Sequence, residues 1–184
     1  MEDTGAGQDD GERNMMRRRR AIALMVAFAA LGACATPPEA TRSDVGALAD
    51  AIAALGPEVD PREAQRAAEI AFAYPRALAR EWQVTDAPLV HNAKVLHGLR
   101  EKGLCNDWTE AMLARLRQED FRTLSLHWAS SPPKGFRVVH HSAVISAAGA
   151  SMRDGIVLDP WRGGGQLFWA RPDDDTRYDW GPPL

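Results

Sequence analysis

The periodicity of this chain changes once, close to residue 120, and that change restricts the fold more than any other feature. Before it, apolar residues recur at the i, i+3, i+4, i+7 spacing of helices with one buried face. After it, short apolar runs are divided by Gly, Pro and Ser clusters, the texture of strands and turns. Helices first and antiparallel strands after specify an α+β domain, with N-terminal helices packed on a small antiparallel sheet.

Residues 43–55 open the helical half: Ser43 is the cap, Val45, Leu48, Ile52 and Leu55 make the stripe, and Gly56-Pro57 stops it. Asp60-Pro61-Arg62-Glu63 then supplies a cap, a first-turn proline and an acid three residues on. Pro75 is expected to kink or end this helix, with residues 76–82 continuing it. A third helix is read over residues 87–102, its buried side made by Leu89, Ala93, Leu96 and Leu99, with Asn92 inside that arc. His91 and His97 read as solvated or packed. Strands are expected over 123–128, 136–146 and 155–159, the last closed by Pro160, with 166–170 following a Gly-rich turn. The Asp173-Asp174-Asp175 run reads as a solvated loop and residues 178–184 as an irregular tail.

The segment before residue 43 has a different purpose. Arg17 to Arg20 form a basic cluster, an apolar run follows, and Leu31-Gly32-Ala33-Cys34 closes it. That is the plan of a secretory signal peptide, and its apolar run is too short to span about 30 Å of hydrocarbon permanently. The ending resembles the lipobox of bacterial lipoproteins, in which the cysteine is lipidated and becomes the first mature residue. The resemblance implies a signal peptide over 1–33, a lipidated tether over 34–42, and a functional domain over 43–184. Residues 1–14 are acidic and Gly-rich, unlike an n-region, so Met15 or Met16 would start a conventional signal. Two acyl chains on Cys34 would anchor the chain stably, because each buried CH₂ contributes about 0.8 kcal/mol. Ala35, rather than Asp, after the cysteine favours the periplasmic face of the outer membrane, by resemblance to enterobacterial sorting.

Net charge is −3 with both signs interspersed, and nothing after the signal resembles a nucleic-acid footprint. The cysteine count is more informative. The chain has 2 cysteines, so acylation of Cys34 leaves Cys105 without an intramolecular partner. An unpaired thiol in an oxidising compartment is a liability unless buried or used.

Cys105 lies in Gly103-Leu104-Cys105-Asn106-Asp107-Trp108, a turn that delivers it to the first turn of a helix whose apolar positions are Trp108, Ala111, Met112 and Leu116. Unpaired N–H groups at a helix start favour an anion there, by about 0.3–1 kcal/mol. Asp107 and Glu110 in the same region oppose it, so a nearby imidazolium must supply most of the stabilisation of a thiolate. Chain order provides one: Cys105, then His140 or His141 in a strand, then Asp159 at the end of the next. A thiolate to attack, an imidazole to move the proton and a carboxylate to fix the ring are the parts nucleophilic catalysis needs.

Gly-Leu-Cys at a helix start, His-His-Ser-Ala-Val-Ile and Val-Leu-Asp-Pro-Trp-Arg together resemble the transglutaminase-like branch of the papain-like cysteine proteinase fold. The likeness covers residues 86–169 in order and context. It implies a Cys105–His140–Asp159 triad and a thioester formed on a peptide, amide or acyl substrate, then hydrolysis or transfer to an amine. Consecutive strand residues face opposite sides, so only one of His140 and His141 serves; the pattern favours His140, with His141 the alternative. The Cys105 N–H is the natural first oxyanion donor, with Asn92 or Trp108 as second. Trp161 and Arg162 would support the cleft or brace its strand. No metal or cofactor is implied. Three non-adjacent ligands without chelating spacing make a poor zinc site, and a monomer is expected. Two blander readings stay open: a buried structural thiol, and a non-catalytic envelope lipoprotein that uses the fold as a binding module.

Overall fold

The computed structural model describes residues 45–184 other than Phe136. Ser43, Cys34 and the segments expected to be a signal peptide and a tether fall outside the described residues. The helical half opens with α1 (Val45–Ala53), whose Leu48, Ala49 and Ile52 are buried against α2 (Pro61–Glu81). Ala64, Ala67, Ala68 and Ala71 are all 0% exposed, so the two helices meet through the smallest side chains available. Asp60 caps α2 by accepting the Arg62 N–H at 2.8 Å, with Pro61 in the first turn. Glu63 does not complete a capping box. Its carboxylate accepts from the backbone N–H groups of Arg122 and Thr123 at 2.9 Å and from the Thr123 hydroxyl at 2.6 Å. The acid therefore fixes the entry to the sheet. Pro75 neither ends nor divides α2, which runs unbroken to Glu81.

Then follow α3 (Pro88–Leu96) and α4 (Cys105–Arg117). The third helix is shorter than its pattern predicts, and its orientation is reversed. Leu89, Leu96 and Leu99 are 65–75% exposed while His91 is 1% exposed. The sheet consists of β1 (Leu124–Ser131), β2 (His140–Ala147), β3 (Ile156–Gly163) and β4 (Gln166–Ala170), in that spatial order and antiparallel throughout. With the helices ahead of it, the architecture is α+β.

β2 starts at His140, later than residue 136, and β3 continues through Pro160 to Gly163. The proline is tolerated because the β3–β4 ladder is irregular between Asp159 and Gly163, so no regular ladder donor is lost there. Gly165 turns the chain with φ +101° and lies against α2, where a Cβ would meet that of Ala79 at 2.5 Å.

The two faces of the sheet are covered differently. Ala143, Ile145, Ile156, Leu158, Leu167 and Trp169 face α1, α2 and α4 in the main core. Ala129, Val144 and Val157 face the other way and are covered by Tyr178 and Trp180 from the segment after β4. That segment is irregular, as expected, but it is packed rather than loose. Gly181 exchanges two backbone hydrogen bonds with Ser130 at 2.8–2.9 Å, fastening it to β1. Among the described residues no helix is long and apolar enough to cross a membrane.

Candidate active site

Cys105 is the first residue of α4, where backbone N–H groups have no intrahelical acceptor. Asp107 folds back and accepts the N–H groups of Gly103 and Leu104, both at 2.9 Å. Its charge is thereby spent on the turn that presents the thiol. The Trp108 indole N–H donates to Gly103 O at 3.1 Å in a buried position, and Thr109 Oγ1 donates to Cys105 O at 2.8 Å. Behind the turn, His91 Nε2 donates to Lys102 O at 2.9 Å. The cysteine is held from several sides.

Strand alternation alone would turn His141, not His140, towards the helix that carries Cys105. Ala143 faces the helices, so His141 shares its side of the sheet and His140 takes the opposite one. Yet His140 is the ring on which Cys105 acts, the thiol being among the groups that hold it up. It stands at the first residue of β2, and Cys105 Sγ lies at that same strand end, 3.9 Å from Val139 O. His141 is occupied elsewhere: its Nδ1 pairs with Ser130 Oγ at 2.8 Å and accepts the Trp128 indole N–H at 3.3 Å.

Asp159 follows Leu158, which faces the helices opposite Ala143, so Asp159 turns to the same side as His140. His140 Nε2 donates to Asp159 Oδ2 at 2.7 Å, with both residues almost wholly buried. A carboxylate only accepts, so Nε2 carries a proton and Nδ1 is left for the thiol. Burial works against a charged His140 ring, but the Asp159 charge and hydrogen bond, with the Cys105 contact, outweigh it and hold the imidazole up to about 9. Burial likewise works against an Asp159 carboxylate; the charges and hydrogen bonds of His140 and Arg162 overcome this and hold it well below the usual carboxylate range.

The His140 ring is enclosed by Trp161, Tyr178 and Trp180, with centroids 4.7, 4.4 and 5.4 Å away. Trp161 donates its indole N–H to Asn92 Oδ1 at 3.1 Å. This fixes Asn92 with its amide N–H₂ end turned away from Trp161 and without an acceptor among the described residues. Trp108, by contrast, has committed its N–H to the Cys105 turn and is not placed as an oxyanion donor. Arg162 does more than brace the strand: its Nε donates to the same Asp159 Oδ2 at 2.7 Å, and both Nη groups fork onto Asp175.

Asp175, Tyr178 and Trp180 were not among the residues marked by sequence. Two aromatics in the five positions that follow an acidic run are the available signal. Cys105 retains 9% of its surface. Two surface grooves, of about 400 and 290 Å³, share Glu81, Trp82 and Lys102, and neither is lined by Cys105, His140 or Asp159. No family model, curated protein or solved structure matches the chain.

Proposed function

We propose that this chain is a cell-envelope lipoprotein whose transglutaminase-like, papain-like domain cleaves or transfers amide and acyl groups through a thioester on Cys105. One observation carries the reading: the His140–Asp159 pair, closed at 2.7 Å, stands at the strand end where Cys105 Sγ lies 3.9 Å from Val139 O, and Cys105 is among the groups that hold the His140 ring up. In this mechanism the Cys105 thiolate attacks the substrate carbonyl carbon while the Cys105 N–H faces the developing oxyanion. His140 Nδ1–H protonates the departing amine as the carbon–nitrogen bond breaks, leaving a thioester. Water or an acceptor amine then gives its proton to His140 and attacks the thioester, and the thiolate leaves. Asp159 holds the ring in one tautomer throughout and offsets its positive charge. Trp161 and Asn92 border the reacting groups, with the Asn92 amide as the second oxyanion donor.

The 9% exposure of Cys105 favours a second reading, a binding module with a shielded thiol. Second-order capture of Cys105 by iodoacetamide at pH 6, native against urea-unfolded, separates the two. The enzyme reading expects the native protein to react at least about tenfold faster, as an activated thiolate does. Equal or slower capture leaves the binding module.

A further inference from the structure

Arg162 and Asp175 form a buried ion pair immediately behind the proposed catalytic carboxylate, with side chains 5% and 1% exposed. Arg162 spends Nε on Asp159 and both Nη groups on Asp175. Asp175 is held in turn by the Trp180 indole N–H at 2.8 Å and the Arg177 N–H at 3.0 Å. One guanidinium thus faces two carboxylates, and the buried group carries one net negative charge before His140 is counted. Such a charge is costly away from water unless a cation completes it. A protonated His140, sharing Asp159 Oδ2 with Arg162, is the cation in place.

We infer that Asp175 is a positioning residue: it takes up the charge of Arg162, so that Asp159 remains available to balance a His140 imidazolium beside the Cys105 thiolate. Without Asp175, Arg162 and Asp159 would neutralise each other, and a charged His140 would stand as an uncompensated buried cation. The inference rests on the Cys-His-Asp reading above and adds a second tier to it. The other charged or titratable groups facing His140 are Cys105 from α4, Tyr178 stacked on the ring, and His141 next in the chain. Arg137 and Arg177 approach the Tyr178 ring, 6.0 and 5.8 Å from its centroid. None of these changes in the variants below.

The test is the pH profile of Cys105 alkylation by iodoacetate in the full chain, at fixed ionic strength, with near-UV circular dichroism as the check on folding. The thiolate sulfur displaces iodide: a sulfur–carbon bond forms, the carbon–iodine bond breaks, and iodide leaves with the electron pair. The reagent is an anion drawn by the imidazolium, so the rate falls on the alkaline side as His140 gives up its proton. Asp175→Asn is expected to move that alkaline limb down by about one pH unit, the scale of one nearby charge. The double variant Arg162→Gln, Asp175→Asn removes both signs and is expected to return the limb to within about 0.3 unit of wild type. A limb that stays in place or rises in Asp175→Asn overturns the inference. If that variant does not fold, a limb lowered by a full unit in the double variant overturns it instead. A wild-type chain with neither an alkaline limb nor faster capture than the unfolded chain removes the Cys-His-Asp reading itself.

Discussion

His91 fills the space where a side chain at Gly103 would have to go: a Cβ built on Gly103 would lie 2.4 Å from His91 Nε2. Gly103 also has φ +129°, a conformation that side chains rarely adopt. Two independent constraints therefore fix the residue two positions before the thiol. Gly103→Ala is expected to cost about 2 kcal/mol or more and to displace Cys105, through backbone strain and collision together. Thermal unfolding and iodoacetamide capture measure the two effects. An unchanged midpoint with unchanged capture would show that the turn yields easily and that His91 supports nothing.

Asp159→Asn keeps the shape of the side chain and removes the charge that both His140 and Arg162 use. The fold is expected to persist, because Asp175 still pairs with Arg162. Capture of Cys105 at pH 6 is expected to drop by about a hundredfold or more, as the ring loses its tautomer and its counter-charge. Equal capture in wild type and variant would take Asp159 out of the mechanism.

Stability should depend on pH through the same pair. His140 is raised to about 9 from an ordinary 6.5, so its contribution is complete below pH 6.5 and is lost as pH climbs through 9. Asp159 is depressed, so its contribution is complete above the ordinary carboxylate range and is lost only in strong acid. The two describe one shared interaction and are not summed. In a Cys105→Ser chain, whose hydroxyl does not titrate here, the unfolding midpoint should decline from about pH 6.5 towards pH 9. A midpoint that rises over that alkaline interval would contradict a charged, carboxylate-bound His140.

The anchoring proposal has its own measurement. Wild-type chain expressed in a bacterial host should incorporate labelled fatty acid and partition into detergent, while Cys34→Ala should do neither, since stable attachment requires acyl chains. Label retained by the Cys34→Ala chain would place the lipid elsewhere or dismiss it.

Much of the scaffold is legible from local chemistry. Asp60 and Pro61 announce α2, the cysteine turn announces α4, and the β-rich runs locate all four strands to within a few residues. Errors arise where a distant contact overrides the local pattern. Leu89 and Leu96 lie seven apart, on one side of α3, and would mark its buried face; instead His91 is drawn inward by Lys102 and Gly103, and the leucines face outward. Asp175 belongs to an acidic run that sequence cannot divide, because what separates it from exposed Asp173 is Arg162, thirteen positions earlier. Alternation separates His140 from His141 and turns His141 towards the helices; that His140 nonetheless lies beside Cys105 comes from its place at the strand end, visible only in three dimensions. Glu63 has the spacing of a cap for its own helix, yet it binds Arg122 and Thr123 at the entry to β1.

The aromatic cover over His140 has a temporal consequence. Cys105, the two histidines and Asp159 all precede it in the chain, while Asp175, Tyr178 and Trp180 follow every strand. A polypeptide emerging in order therefore completes its helices and sheet before it gains the wall that shields the imidazole and the second carboxylate that steadies it. Until Gly181 latches onto Ser130, such a chain would hold Cys105, His140 and Asp159 with only Trp161, of the three rings around the imidazole, in place.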